Sequence, residues 1–475
     1  MPRLAALILA FPLALSAQQL DFTSAGAPLT LSPADPQIAA ALKDVSADRI
    51  HADITHLVDF SNRSTISSNE TGLKPGTGIL AASDWIKSQF EAISRGCGNC
   101  LQVSFDEFVE PPQTGAHPRI VQSTPMRNVL AILPGTDPAH RMIVIGGHYD
   151  TRVSDVMDTH SFAPGANDDT SGAALVLESA RVLSHHHFPA TIVFVAFDGE
   201  EQGLNGSHHL AQRAKSEGWS IEAVLNNDIV GGDSTPGDTL QSKQRVRVFS
   251  SGLLASAPPD QLRLALSLGA ENETPSRQLA RTVLDVGRTY FAASFTPVME
   301  LRLDRFLRGG DHRSFSDEGF PAVRFTEWRE NFNHQHQSVR TENGTEFGDL
   351  LKFVDPAYTA QVARLNIAVA ATLASAPAPP QNVRVLTSNL DNDTILKWDP
   401  PTDAANTHYQ ILWRETAVTD WQYAADAARY PASGSGPTPN SARLPVSKDN
   451  VFFGIRACTA TSQCSPAVAP LPSRE

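Results

Sequence analysis

Apolar residues fall in two rhythms along this chain. Four short runs, Arg127-Asn128-Val129-Leu130-Ala131-Ile132-Leu133, Met142-Ile143-Val144-Ile145-Gly146-Gly147, Thr191-Ile192-Val193-Phe194-Val195-Ala196-Phe197 and Glu222-Ala223-Val224-Leu225-Asn226-Asn227, have the length of buried strands. Helical periods over 171–183 and 204–215 separate them. Continuous apolar strands alternating with helices predict an α/β fold, with a doubly wound, mostly parallel sheet covered on both faces. In such sheets functional groups collect at the carboxyl ends of the strands. Upstream, 38–57 and 79–90 carry amphipathic helical patterns around a loop rich in Ser, Asn, Gly and Pro.

The rhythm changes after 375. Ala376-Pro377-Ala378-Pro379-Pro380 reads as a stiff linker. Beyond it, Val383-Arg384-Val385, Thr394-Ile395-Leu396-Lys397-Trp398, Tyr409-Gln410-Ile411-Leu412-Trp413 and Phe453-Gly454-Ile455-Arg456-Ala457 alternate with period two, which predicts an all-β sandwich over 381–475. Trp398 and Tyr409 are its expected inward aromatics. This stretch resembles a fibronectin type III module, with Val451 where an aromatic usually opens the sixth strand. At the other end, Arg3 precedes an apolar run over 4–15 that closes on Ser16-Ala17, the pattern of a secretory signal peptide over 1–17. That run is too short to span a membrane, and no later segment reaches spanning length.

Composition narrows the classes further. At 475 residues, with 41% hydrophobic and 19% charged, the chain is globular and long enough for two or three domains. Thirty-eight Lys+Arg against 51 Asp+Glu give a net charge of −13, which argues against nucleic acid as a partner. Four cysteines allow three pairings; the local pairs Cys97–Cys100 and Cys458–Cys464 are expected, because they fall in different predicted domains. Export favours structural disulfides over a redox or zinc role for the Cys97-Gly98-Asn99-Cys100 unit.

Acidic groups recur at the predicted strand ends. Gly146-Gly147-His148-Tyr149-Asp150 places His148 and Asp150 on one side of a strand, where the carboxylate can orient the imidazole. Ala166-Asn167-Asp168-Asp169-Thr170 opens a helix, Asp198-Gly199-Glu200-Glu201 follows the next strand, and Asn226-Asn227-Asp228 closes another. Each piece alone has a plain structural role, such as capping by Asp169. Together they are like charges converging on one cleft, which a bound cation stabilises most simply.

With Gly310-Asp311-His312 and the late segment Asn333-His334-Gln335-His336-Gln337, the series resembles the secreted di-zinc aminopeptidases of metallopeptidase clan MH. That clan includes bacterial leucyl aminopeptidase and the glutamate carboxypeptidases, and the likeness runs over about 46–375. The resemblance implies two Zn²⁺ per chain: His148 and Asp228 on one, Glu201 and a late histidine on the other, Asp168 between them. It implies Glu200 as general base, Asp150 as the group orienting His148, and a metal-bridging hydroxide as nucleophile. His336 fits the family's His-x-x-x-Asp-Thr spacing, although Arg340 stands in the Asp position; His334 is the alternative.

The expected organisation is therefore a signal peptide over 1–17, an N-terminal segment or propeptide over 18–45, a di-zinc catalytic domain over 46–375, a linker over 376–380 and the sandwich over 381–475. The expected activity is that of a secreted, extracellular or periplasmic metallo-aminopeptidase acting on peptides. A carboxypeptidase or glutaminyl cyclase of the same clan, a dinuclear deacylase with a lid inserted over 231–308, and an inactive binding protein are the alternatives. The sandwich is a candidate for contact with a surface or polymer; the oligomeric state is left open.

Overall fold

The computed structural model describes residues 23, 25–137, 139–388, 390–401, 407–432 and 440–474; the predicted signal peptide lies outside them. Strand β1 (Ala27–Pro28) comes first, followed by helices α1 (Pro36–Ala41), α2 (Ala47–Asp59) and α3 (Ile79–Gly96). An alternating stretch follows: β2 (Gln102–Glu110), β3 (Thr124–Leu133), β4 (Arg141–His148), α4 (Thr170–Leu183), β5 (Thr191–Phe197), α5 (Asn205–Ser216) and β6 (Ser220–Asn227). Next are β7 (Arg245–Ser250), α6 (Pro259–Leu268), α7 (Pro275–Phe291), β8 (Thr296–Glu300), α8 (His312–Asp317) and β9 (Ala322–Glu327). A hairpin, β10 (Arg340–Glu342) and β11 (Thr345–Phe347), and α9 (Pro356–Ser375) complete this part.

Eight strands form one sheet in the order β2-β3-β5-β4-β6-β9-β7-β8. The centre, β5-β4-β6-β9, is parallel, so four carboxyl ends lie side by side. Every residue of β5 is buried, as its unbroken apolar run requires. The flanks are the antiparallel part of this mostly parallel sheet. Strand β3 runs antiparallel to β5, and β7 runs antiparallel to β9. Strand β3 also runs antiparallel to β2, across the whole length of β2. The sheet is therefore mixed, with a parallel core. The 231–308 stretch supplies β7 and β8, which extend this sheet, together with α6 and α7.

Helices cover both faces. Helices α4 and α9 pack on one side with α2, and α5 and α8 on the other. The passage from α4 on one face to α5 on the other puts the switch of winding at β4, beside His148. The 38–57 pattern divides into two helices: Val45 is extended, and the Ser46 side chain accepts from Arg49 N to cap α2. The Ser46 amide in turn donates to Glu178 of α4 at 2.6 Å.

Beyond α9, the predicted linker is pinned: Ala376 and Ala378 are buried, and the Arg141 guanidinium donates to the Ala376 carbonyl at 3.0 Å. The sandwich strands are β12 (Gln381–Leu386), β13 (Thr394–Asp399), β14 (His408–Glu415), β15 (Tyr423–Asp426), β16 (Ser441–Leu444), β17 (Val451–Cys458) and β18 (Leu471–Ser473). They form two four-stranded sheets, β16-β13-β12-β18 and β1-β15-β14-β17. Trp398 is buried between them and meets Tyr409 at 5.2 Å between ring centres. Strand β1, from the start of the chain, is the edge of the second sheet, while Ile38, Ala41, Leu42 and Val45 just after it belong to the α/β core. Both expected disulfides, Cys97–Cys100 and Cys458–Cys464, are formed.

The sandwich rests on α7 through buried charge. Glu273 lies between Arg281, at 3.2 Å, and Arg414 of β14, all three side chains being nearly inaccessible. Removing the acid leaves two buried guanidinium groups uncompensated, so Glu273→Ala should destabilise the protein by about 3–5 kcal/mol in denaturant titration. A second prediction concerns α2. Burial and Glu178 push the Asp53 carboxyl up to about 7, against the pull of Arg49 and Arg181. The folded state thus holds this proton more tightly than the unfolded chain, and stability is lost as pH rises through that range. Asp53→Asn should raise Tm above about pH 7 and leave it unchanged near the ordinary carboxyl value of 3.8. Calorimetry at the two pH values checks this.

Candidate metal centre

Four of the site residues sit at the carboxyl edge of the parallel strands. His148 ends β4, Glu200 and Glu201 follow β5, and Asp228 follows β6. Asp168 lies just before α4, and His336 comes from the loop between β9 and β10. Potential ligand atoms of His148, Glu200 and Asp228 lie within 4.8 Å of one another, as do those of Asp168, Glu201 and His336. Asp168 joins the two groups. Its Oδ1 is 3.3 Å from His148 Nε2, and its Oδ2 is 3.0 Å from His336 Nε2. His336 Nε2 is also 3.1 Å from Glu201 Oε1.

The alternative histidine is elsewhere. His334 bonds Asp233 through Nδ1 at 2.5 Å and stacks on Phe353 with ring centres 3.7 Å apart. His336 occupies the left-handed region at φ 54°, and its neighbour Gln335 donates to Asp168 Oδ2 at 3.1 Å.

Two carboxylates outside the cluster hold it in shape. Asp169 caps α4 by accepting from Gly172 N at 3.0 Å, and also accepts from His148 N and Ile229 N, each at 3.1 Å. It thereby fastens the ends of β4 and β6 to the first turn of α4. Gly172 is required there, since a Cβ would come within 2.3 Å of the Asn227 carbonyl oxygen and of Asp169 Oδ2. Asp150 accepts from Glu200 N at 3.2 Å and Glu201 N at 3.0 Å, and its Oδ1 is 3.3 Å from His148 Nδ1. One carboxylate therefore sets both the imidazole and the glutamate pair.

Three further residues were not singled out from the sequence. Arg324, fully buried on β9, places Nη2 2.7 Å from Asp228 Oδ1. Asp349 accepts from the amides of Asn167 (2.9 Å) and Asp168 (2.7 Å) and so fixes the Asp168 turn. Arg63, also buried, bonds the carbonyls of Tyr149 (2.9 Å) and Pro164 (3.1 Å) beneath the site. Arg324 did leave a signal, a charge inside the buried run Ala322-Val323-Arg324-Phe325; Asp349 left none.

The electrostatics are those of a cation site. Burial, together with Glu201, Asp228 and Asp311, pushes the Glu200 carboxyl well up despite His148. Burial alone would lower His336, but Glu201 and Asp168 carry it up to about 10. His148 is likewise held well above its ordinary value, against burial, by Asp150 and Asp168. A divalent cation satisfies the same acids without protonating the rings, as ligand histidines require. The buried atoms His148 Nε2 and Glu201 Oε1 have no hydrogen-bond partner among the described residues. A set of imidazole nitrogens and carboxylate oxygens suits zinc.

Comparison with known proteins agrees with this chemistry. The profile of peptidase family M28 matches residues 128–348. A probable zinc metalloprotease of Pyrenophora teres f. teres is 41% identical over 456 residues, covering 95% of this chain and 90% of that protein. One from Pyricularia oryzae is 41% identical over 447 residues, covering 92% and 85%. The Legionella pneumophila LapA aminopeptidase shares the fold, with TM-score 0.50 and 22% identity over 73% of this chain and 77% of that one. The chain therefore belongs to peptidase family M28 and is a zinc metallopeptidase.

Proposed function

We propose that this protein is an exported exopeptidase that holds two zinc ions and removes N-terminal residues from peptides. The observation that carries the reading is the divided orientation of Asp168, one oxygen toward His148 and the other toward His336. In this assignment His148 and Asp228 hold one zinc, Glu201 and His336 the other, and Asp168 is shared. Asp150 engages Nδ1 of His148, which leaves Nε2 for the metal. Arg324 occupies Oδ1 of Asp228, which leaves Oδ2, 3.9 Å from His148 Nε2, as its free oxygen.

Zinc, when bound, supplies Lewis acidity and lowers the pKa of water from about 15.7 towards about 7. Glu200 lies beside the His148 group but is kept out of the ligand set by charge: three ligand carboxylates and one hydroxide balance two divalent ions. Its task is to accept the proton released during attack on the peptide carbonyl and to deliver it to the departing amine. Glu200 and its neighbour Asp311, the carboxylates outside that balance, favour a free α-ammonium group on the substrate, which supports an aminopeptidase. The complete set of candidate ligands, with Glu200, argues against an inactive binding protein.

Export is supported by the pattern over 1–17 and by the two disulfides. No helix among the described residues is long and apolar enough to cross a membrane. The sandwich, with its two four-stranded sheets, fits a fibronectin type III-like accessory module for a surface or polymer.

A panel of free aminoacyl, N-blocked and C-terminal-glutamate peptides, assayed with and without chelator, tests the activity. Chelator-sensitive turnover confined to free N-termini is expected; turnover of the N-blocked peptides would make the enzyme a carboxypeptidase. Glu200→Gln should retain about two zincs per chain by elemental analysis while kcat falls about 10²–10⁴-fold. His336→Ala should lose about one zinc and His334→Ala neither; the reverse result would transfer the ligand role to His334.

A further inference from the structure

The cleft over the metal centre, about 960 Å³, gathers arginines around the acids of the centre. Asp168, Glu200, Glu201, Asp228 and His336 contribute the centre itself. The other ionised lining residues are Arg119, Arg152, Arg305, Arg308, Arg313 and Asp317. Two zinc ions would offset the four carboxylates of the centre, and the remainder, five guanidinium groups against one carboxylate, is then a local reversal in a protein of net charge −13.

Not all of that charge is available. Arg305 is held by Asp304 and Glu330, each at 2.9 Å, and Arg313 faces Asp317 at 3.5 Å. Arg308 reaches Glu330 at 3.2 Å, but that carboxylate is already shared with Arg247 and Arg305. Arg119 and Arg152 have no carboxylate partner among the described residues. Arg119 donates to the carbonyl of Glu201 at 2.7 Å, and Arg152 to those of Val153 and Ser154 at 3.1 and 3.2 Å. Both keep further donors that meet no other group among the described residues. Two large apolar side chains of the lining, Leu307 and Phe332, are 93% and 65% exposed and balance no charge.

The two arginines also share a side of the cleft. Arg119 is bonded to the backbone of Glu201. The loop of Arg152 accepts, through Ser154 Oγ, the amide of Ser338 at 3.0 Å, two residues beyond His336. Arg308 bonds Gln335 at 2.9 Å, and Gln335 bonds Asp168. All three are thereby tied to the Asp168, Glu201 and His336 group.

We infer that Arg119 and Arg152, backed by Arg308, form a carboxylate-binding subsite, and that preferred substrates carry a carboxylate close to the scissile bond. The group is either an Asp or Glu side chain or the α-carboxylate of a short peptide, since a guanidinium fork recognises both in the same way. This inference rests on the zinc exopeptidase reading above.

The test uses matched peptides with free N-termini: one with Gln beside the scissile bond and a C-terminal amide, one with Glu in place of Gln, and one with Gln and a free C-terminal carboxylate. On the zinc-loaded enzyme, at least one carboxylate peptide should exceed the neutral peptide in kcat/KM by about tenfold, the scale of one charge-assisted contact. Whichever peptide responds identifies the source of the group. The ratio should shrink as salt is raised and fall towards unity in the double variant Arg119→Gln/Arg152→Gln, with Arg119→Lys/Arg152→Lys retaining part of it. Because the readout is a ratio, a general loss of activity does not imitate this result.

Binding of the same peptides to zinc-loaded Glu200→Gln, followed by calorimetry, should show the same order of affinities. Equal kcat/KM and equal affinity for charged and neutral peptides would overturn the subsite, as would a preference that survives the double variant. If no peptide is hydrolysed, the exopeptidase reading fails, and the binding arm alone decides the subsite.

Discussion

Mutual repulsion among buried carboxylates is the constraint on which this structure turns. Asp150, Asp168, Asp169, Glu201 and Asp228 crowd the edge of the sheet's parallel core and are almost wholly removed from water. Left to themselves they would separate or take up protons. Backbone amides restrain them instead: Asp169 gathers those of His148, Gly172 and Ile229, and Asp150 those of Glu200 and Glu201. Arg324 holds Asp228 from β9, with Asp304 on its other amino group at 3.3 Å. The acids are thus divided between those that bind the scaffold and those left for a cation. The sheet can support this because β5, β4, β6 and β9 bring four strand ends to one edge.

Much of this arrangement was legible in the sequence, for physical reasons that differ from element to element. The runs that became β4, β5 and β6 have continuous apolar centres because both faces of the sheet are covered, so their length and composition revealed them. Acids directly after those runs marked the cleft, since a charge at a strand end has few inert explanations when three strands repeat it. The flanking antiparallel pairs were not legible, because β3 and β7 carry the same apolar character whichever way they run. Nor was Asp349, whose role depends on a loop folding back almost two hundred residues after Asp168. His336 could be approached only by family spacing, and the loop conformation separates it from His334.

The cationic lining was hidden for a related reason. Arg119, Arg152 and Arg308 come from three separate loops, and nothing local distinguishes them from ordinary surface arginines. Net charge pointed the other way. A total of −13 describes the whole surface, whereas a substrate entering the cleft meets a field concentrated by its walls. Composition therefore argues against a polyanionic nucleic acid while leaving open a small anionic group at the mouth. These two statements concern different length scales and do not conflict.

Strand β1 carries a consequence for how the molecule is assembled. Ala27 pairs with Ala424, and Tyr430 bonds the Ala25 carbonyl, so the beginning of the chain is an edge of the module built from its end. During vectorial synthesis this segment emerges early and must wait, unpaired, until nearly the whole polypeptide has been made. Its close neighbours Ile38, Ala41, Leu42 and Val45 meanwhile find their places in the α/β core. Registration of Ala27–Pro28 with Tyr423–Ala424 is therefore later than synthesis of the whole α/β part, and it binds the two lobes as a clasp that neither lobe contains alone.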